Sequence, residues 1–173
     1  MPRGMWSIVI PAGIAAAAAL GGVALGALVE PLKLRAARRA RVRQDRAERC
    51  AKLIEAAMSC RARLLSLNLA HRQVAAGELL EGNSEEDRLD LYRTVRNELR
   101  QTVALIKLGG PDDLADAAMA VRQAERQFRA VRFAQDDDGH FNRDVPPKAV
   151  LDGARGLEQA VHEFALVARN HVT

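Results

Sequence analysis

Residues 50–74, CAKLIEAAMSCRARLLSLNLAHRQV, carry the pattern that decides the fold. Cys50, Ala57, Leu64 and His71 recur every seven residues, and Leu53, Cys60, Leu67 and Val74 recur in the companion position. Alternating steps of three and four lay these side chains along one face of an α-helix. Ile54, Met58 and Leu65 widen that face, which suits a helix packed in a bundle more than a bare two-stranded coil. On this reading His71 is a buried polar group satisfied inside the core.

Working downstream, Glu81-Gly82-Asn83-Ser84 reads as a turn, and Ser84 is placed to cap a new helix. Glu85, Glu86 and Asp87 then fall in the first turn, where negative charge meets the positive end of the helix dipole. Leu89, Tyr92, Val95, Leu99, Val103 and Ile106 follow helical spacing up to Gly109-Gly110-Pro111. A third stripe comprises Leu114, Ala118, Val121, Ala124, Phe128 and Val131. A polar loop over 135–145 and the pair Pro146-Pro147 precede a fourth, Val150, Ala154, Leu157, Val161, Phe164 and Ala168. Gly153 and Gly156 weaken its opening turns, so the firm helix is expected nearer Leu157. The predicted helices span about 50–80, 85–108, 112–134 and 147–171, similar in length and joined by two short turns and one moderate loop. The expectation is an all-α, up-down-up-down four-helix bundle over 50–173. Aromatics at 3% and an alanine- and leucine-rich apolar fraction agree with helix rather than strand.

Upstream, no proline occurs between Leu32 and Leu80, and Gly77 is the sole glycine there, so the first bundle helix extends back as a long juxtamembrane helix. Pro31 marks an expected kink or restart. Residues 30–49 form a basic helical stalk with eight arginines and lysines against three acids. Before it, 5–29 carries no charge and is long enough to cross a hydrocarbon core as a transmembrane helix. Pro11 is expected in its first turn and Trp6 at the interface. A cleaved signal peptide is the rival reading, but the positive cluster Lys33, Arg35, Arg38, Arg39, Arg41 and Arg43 follows the span instead of preceding it. Positive-inside reasoning therefore places a single-pass protein in the plasma membrane, with its N-terminus outside and its C-terminal domain in the cytoplasm. Ala18, Gly22 and Gly26, four residues apart, offer a flat face for transmembrane dimerisation, and a parallel homodimer would continue along 50–74.

The chain carries a net charge of +4, concentrated in the stalk, while the sequence from Cys50 onward has 17 basic against 19 acidic residues. That balance argues against a broad nucleic-acid surface. Arg93, Arg96 and Arg100, and likewise Arg122, Arg126 and Arg129, form stripes read as a solvated face with intrahelical ion pairs. The expected topology collects Glu78, Glu81, Glu85, Glu86, Asp87 and the run Asp136, Asp137, Asp138 at the end far from the membrane, an acidic tip able to receive a basic protein partner.

Motifs for chemistry are missing. Asp136-Asp137-Asp138-Gly139 fails as a calcium loop, because Ala134 and Val145 would stand where carboxylates are required. Glu158 and His162 lack the second helix motif of a di-metal bundle. Cys50 and Cys60, ten residues apart on one helix, cannot pair within it, and two unpaired thiols fit a reducing compartment. No catalytic, cofactor or metal site is expected. The functional expectation is a non-enzymatic, membrane-anchored interaction or scaffold protein at the inner face of a bacterial plasma membrane, contacting lipid and an unidentified protein. The alternative is an exported helical-bundle sensor or binding domain. An enzyme would require His71 and several acids to line one internal pocket.

Overall fold

The computed structural model describes residues 6–80, 82, 84–135 and 145–172, with side chains from residue 33 onward. It is all-α, with four helices: α1 Trp6–Ala75, α2 Glu85–Gly109, α3 Asp112–Val131 and α4 Lys148–Val172. The chain divides into two units, Met1–Val42 and Arg43–Thr173.

In the first unit the backbone is helical from Trp6, so Pro11 lies in the second turn rather than the first, and the helix continues through Pro31 without the expected restart. A proline removes one intrahelical hydrogen bond, and the uninterrupted helical sequence on either side retains the others. Among the described residues no helix is long and apolar enough to cross a membrane. The expected span at 5–29 and its stripe Ala18, Gly22 and Gly26 lie outside the residues whose side chains are described.

In the second unit the four helices close a single core. Leu53, Leu64, Leu67, Leu99, Leu114, Phe128, Leu157 and Phe164 are fully buried there. Each such side chain removed from water contributes roughly 1.5–3 kcal/mol. Directions follow from cross-helix contacts. Arg88 Nη1 of α2 donates to Ser66 Oγ of α1 (2.7 Å), while Arg49 of α1 reaches the far end of α2 at Gly109. Arg46 Nη1 donates to the His171 carbonyl (3.3 Å) and Arg61 Nε to the Ala154 carbonyl (3.3 Å), so α4 also runs against α1. His171 pairs with Asp113, and Gly153 abuts Phe128 and Val131, which sets α3 against α4.

Local chemistry fixes the helix ends. α1 stops at Ala75, short of the expected Leu80, because Gly77 takes φ +80. There the Gly77 N–H donates to the Val74 carbonyl (2.9 Å) and the Glu78 N–H to the Gln73 carbonyl (3.0 Å). These are the two bonds of a Schellman closure, which places a glycine in the left-handed region. α2 opens on a capping box: the Asp87 N–H donates to Ser84 Oγ and the Ser84 N–H to Asp87 Oδ2, both at 3.1 Å. It ends with the Gly110 N–H donating to the Ile106 carbonyl (2.7 Å) ahead of Pro111. α3 ends at Val131 rather than 134, where Arg132 and Ala134 bond back three residues to Arg129 and Val131 and tighten the last turn.

α4 is firm from Lys148, not from Leu157. Gly153 is required by packing: a Cβ there would lie 2.8 Å from Phe128 Cδ2 and 3.1 Å from the Phe128 Cα. The glycine lets α3 and α4 approach closely, and the packing so gained offsets its low helix propensity.

Candidate functional site

The seam of 50–74 is occupied within the chain. Cys50, Leu53, Ala57, Cys60, Leu64 and Leu67 are all buried in the bundle's own core. A parallel homodimer through that seam would have to open the bundle, so the core contacts correct this part of the expectation. The seam also ends early. Val74 is 48% exposed, and burial passes instead to Asn68, Ala70 and Arg72. His71 is half-buried rather than in the core, with its ring 4.5 Å from Phe133 and Nδ1 3.5 Å from Glu85 Oε1. It therefore lies at the end of the bundle. Beside it Asn68 accepts from Arg72 Nε (3.0 Å) and donates to the Arg132 carbonyl (2.9 Å), so a polar pair closes this end of the core.

The main polar feature lies deeper, and sequence periodicity passes over it. Glu125 is 1% exposed and Tyr92 2%. The Tyr92 hydroxyl donates to Glu125 Oε1. The same oxygen lies 3.9 Å from Arg96 Nε and 3.8 Å from Arg129 Nε. One buried carboxylate of α3 thus joins α2 through the Tyr92 phenol and the Arg96 guanidinium, and pairs with Arg129 on its own helix. Burial first, then the hydrogen bond to Glu125, push the Tyr92 hydroxyl far above its ordinary range. Burial and then the Glu125 charge push the Cys60 thiol up to about 12. Both groups stay protonated at neutral pH, and a thiol so held is a poor nucleophile and a poor metal ligand. Cys50 is likewise raised, chiefly by burial, and both cysteines are free. The cluster is built as a clamp between helices.

The signal for Glu125 was present in the sequence. Leu114, Ala118, Val121, Glu125 and Phe128 follow steps of four, three, four and three, and all five are buried. Apolar periodicity skips the charged member and selects Ala124, which is only partly buried against the core.

On the outer edge of the same helix pair the two arginine stripes meet. Arg93 forms the expected intrahelical pair with Asp90 at 2.7 Å. Arg100 and Arg126 are exposed, and none of Arg100, Arg122 and Arg126 has a carboxylate at ion-pair distance among the described residues. The approach of Arg96 and Arg129 to one Glu125 oxygen sets the stripes of α2 and α3 side by side, and Arg122 is drawn below its ordinary value by burial first, then by the charges of Arg126, Arg100 and Arg96.

The remaining expected site residues are dispersed. Lys33, Arg35, Arg38, Arg39, Arg41 and Arg43 are all exposed along α1. Asp136, Asp137 and Asp138 lie outside the described residues, as does Glu81. Glu158 bonds Arg61 at 2.9 Å and His162 is exposed. Among the described residues no three histidines, cysteines or carboxylates are grouped so as to hold a metal ion. An open groove of about 440 Å³ between α1 and α2 is lined by Lys52, Glu55, Ser59, Glu98, Gln101 and Leu105, whose charges are mixed. No protein-family model matches the chain, and no curated protein or solved structure is significantly similar to it.

Proposed function

We propose that this chain is a membrane-anchored helical interaction or scaffold protein without catalytic activity of its own. The uncharged residues 5–29 anchor it, the basic residues after them lie against an anionic leaflet, and the bundle presents charged faces to partner proteins. The observation that carries the reading is the run Lys33, Arg35, Arg38, Arg39, Arg41 and Arg43, six exposed cations directly after the apolar segment. Each gains about 1 kcal/mol near an anionic leaflet, and together they hold the following domain on the cytoplasmic side. Ala18, Gly22 and Gly26 supply a transmembrane face for a homodimer, now independent of 50–74.

Fractionation of the full chain and a topology reporter fused after Thr173 test this reading. Membrane recovery with a cytoplasmic signal is the expected result. An external signal would replace it with an exported sensor or binding domain, and recovery from the soluble fraction would remove the anchor altogether.

A further inference from the structure

We propose that the α2–α3 edge, where Arg96 and Arg100 stand opposite Arg122, Arg126 and Arg129 above the buried Glu125, docks a carboxylate-bearing helical segment of a partner protein. The inference rests on the reading of the chain as an interaction protein and adds the face it uses and the chemistry it recognises.

Charge supply is the first argument. Five guanidinium groups converge from two helices, and Glu125 is the one carboxylate within ion-pair distance of any of them among the described residues. It lies beneath the face at 1% exposure, so it neutralises from below and leaves the outer surface cationic. Arg129 pairs along its own helix only with the buried Glu125, and the exposed Arg100 and Arg126 lack the surface intrahelical pairing that Arg93 makes with Asp90. Arg96 of α2 and Arg129 of α3 approach one oxygen from two helices, and the charges of Arg126, Arg100 and Arg96 act on Arg122, a like-charge arrangement that an incoming anion relieves.

The nature of the anion follows from geometry. The edge already holds a carboxylate between Arg96 and Arg129, and guanidinium forks match carboxylates closely. Within each row the arginines are three and four residues apart, about 5–6 Å, which is the spacing of acidic residues on one face of a helix. Single-stranded nucleic acid would need exposed aromatic rings for stacking. Tyr92 is buried and the Phe133 ring lies under the Arg132 guanidinium at 4.5 Å. Charge complementarity therefore favours an acidic helix.

The test uses the full chain in nanodiscs of neutral phosphatidylcholine. The probe is a fluorescent alanine-rich peptide of about 20 residues with glutamates at three- and four-residue spacing on one face. A glutamine version of the peptide and a DNA duplex of equal charge serve as comparison ligands. The glutamate peptide should bind, the glutamine peptide should not, and binding should weaken as salt rises. R100E/R126E should weaken binding by at least about tenfold with an unchanged melting temperature, whereas R63E, at an exposed arginine of α1, should not alter it. If R100E/R126E unfolds, R100Q/R126Q must give a loss in the same direction. Undiminished binding by the face variants, tighter binding of DNA than of the glutamate peptide, or no peptide binding overturns the assignment. A chain that ignores the peptide yet still crosslinks to protein neighbours in native membranes loses this face alone. A chain that does neither loses the interaction reading as well.

Discussion

The Tyr92 hydroxyl of α2 donates to the Glu125 carboxylate of α3, and both side chains are closed off from water in the middle of the bundle. Burying a carboxylate is costly unless its charge and lone pairs are satisfied, and here Tyr92, Arg96 and Arg129 converge on one oxygen. Removing the acid alone leaves the phenol unpaired and two guanidinium groups repelling each other. Glu125→Ala should therefore destabilise the chain by about 3 kcal/mol. Tyr92→Phe and Glu125→Gln should not be additive, with a coupling of about 1–3 kcal/mol. Denaturant melts of both single variants and the double variant check this, and additive effects would remove the clamp from the account.

Two glycines three residues apart on α4 should respond with opposite signs. A Cβ on Gly153 would lie 2.8 Å from Phe128 Cδ2 and 3.1 Å from Val131 Cγ2, whereas nothing lies within 4 Å of one on Gly156. Gly153→Ala forces α3 and α4 apart and should cost about 1–3 kcal/mol. Gly156→Ala occupies open space on an exposed helical surface and should stabilise by about 0.4–1 kcal/mol through the unfolded chain. Paired thermal melts read both signs at once.

Gly153 also marks the limit of what one sequence discloses. The α4 seam of Val150, Ala154, Leu157, Val161, Phe164 and Ala168 was legible in full, because every buried position on that helix is apolar and the repeat is unbroken. On α1 the same logic held as far as Leu67 and then failed, since the Schellman turn at Gly77 ends the helix and the last core positions go to Asn68 and Arg72. Glu125 was hidden for a related reason. Its partners come mostly from another helix, and a glutamate inside an apolar stripe looks like a break until Tyr92 and Arg96 are placed beside it. The two arginine stripes were visible as rows, but their convergence depends on how α2 lies against α3, which periodicity along one helix does not encode.

Cys60 should remain inert in the native chain and should make stability fall in alkali. Its thiol is raised from 9.0 to about 12, chiefly by burial. The folded state keeps its proton where the unfolded chain has lost it. The associated stability is fully present below pH 9 and is lost as pH rises from 9 towards 12. Tyr92 contributes with the same sign above its ordinary value of 10.0. Thiol reagents at pH 8 should modify neither Cys60 nor Cys50 until denaturant is added. Urea melts from pH 8 to 10 should fall less steeply for Cys60→Ala than for the native chain. Rapid native labelling of Cys60, or equal slopes, would contradict the buried, protonated thiol.

At the other end of the bundle, acid should release the last turn of α4. His171 Nε2 lies 2.7 Å from Asp113 Oδ2, and the His171 carbonyl accepts from Arg46, so three helices meet at one residue. The hydrogen bond from His171 is the main reason the Asp113 carboxyl sits below its ordinary value of 3.8. A depressed carboxyl contributes stability above its unfolded value and loses it as pH falls through the folded one. The tie should therefore hold at pH 6 and fail below pH 3.8. Asp113 is solvent-exposed, so the effect should be local fraying of the helix end rather than global unfolding. Hydrogen exchange resolved over residues 168–172 should be faster in Asp113→Asn than in the native chain at pH 6. After correction for intrinsic exchange, the two should converge as pH falls well below 3.8. Equal exchange of the two chains at pH 6 would mean that Arg46, not the Asp113 pair, holds the end of α4.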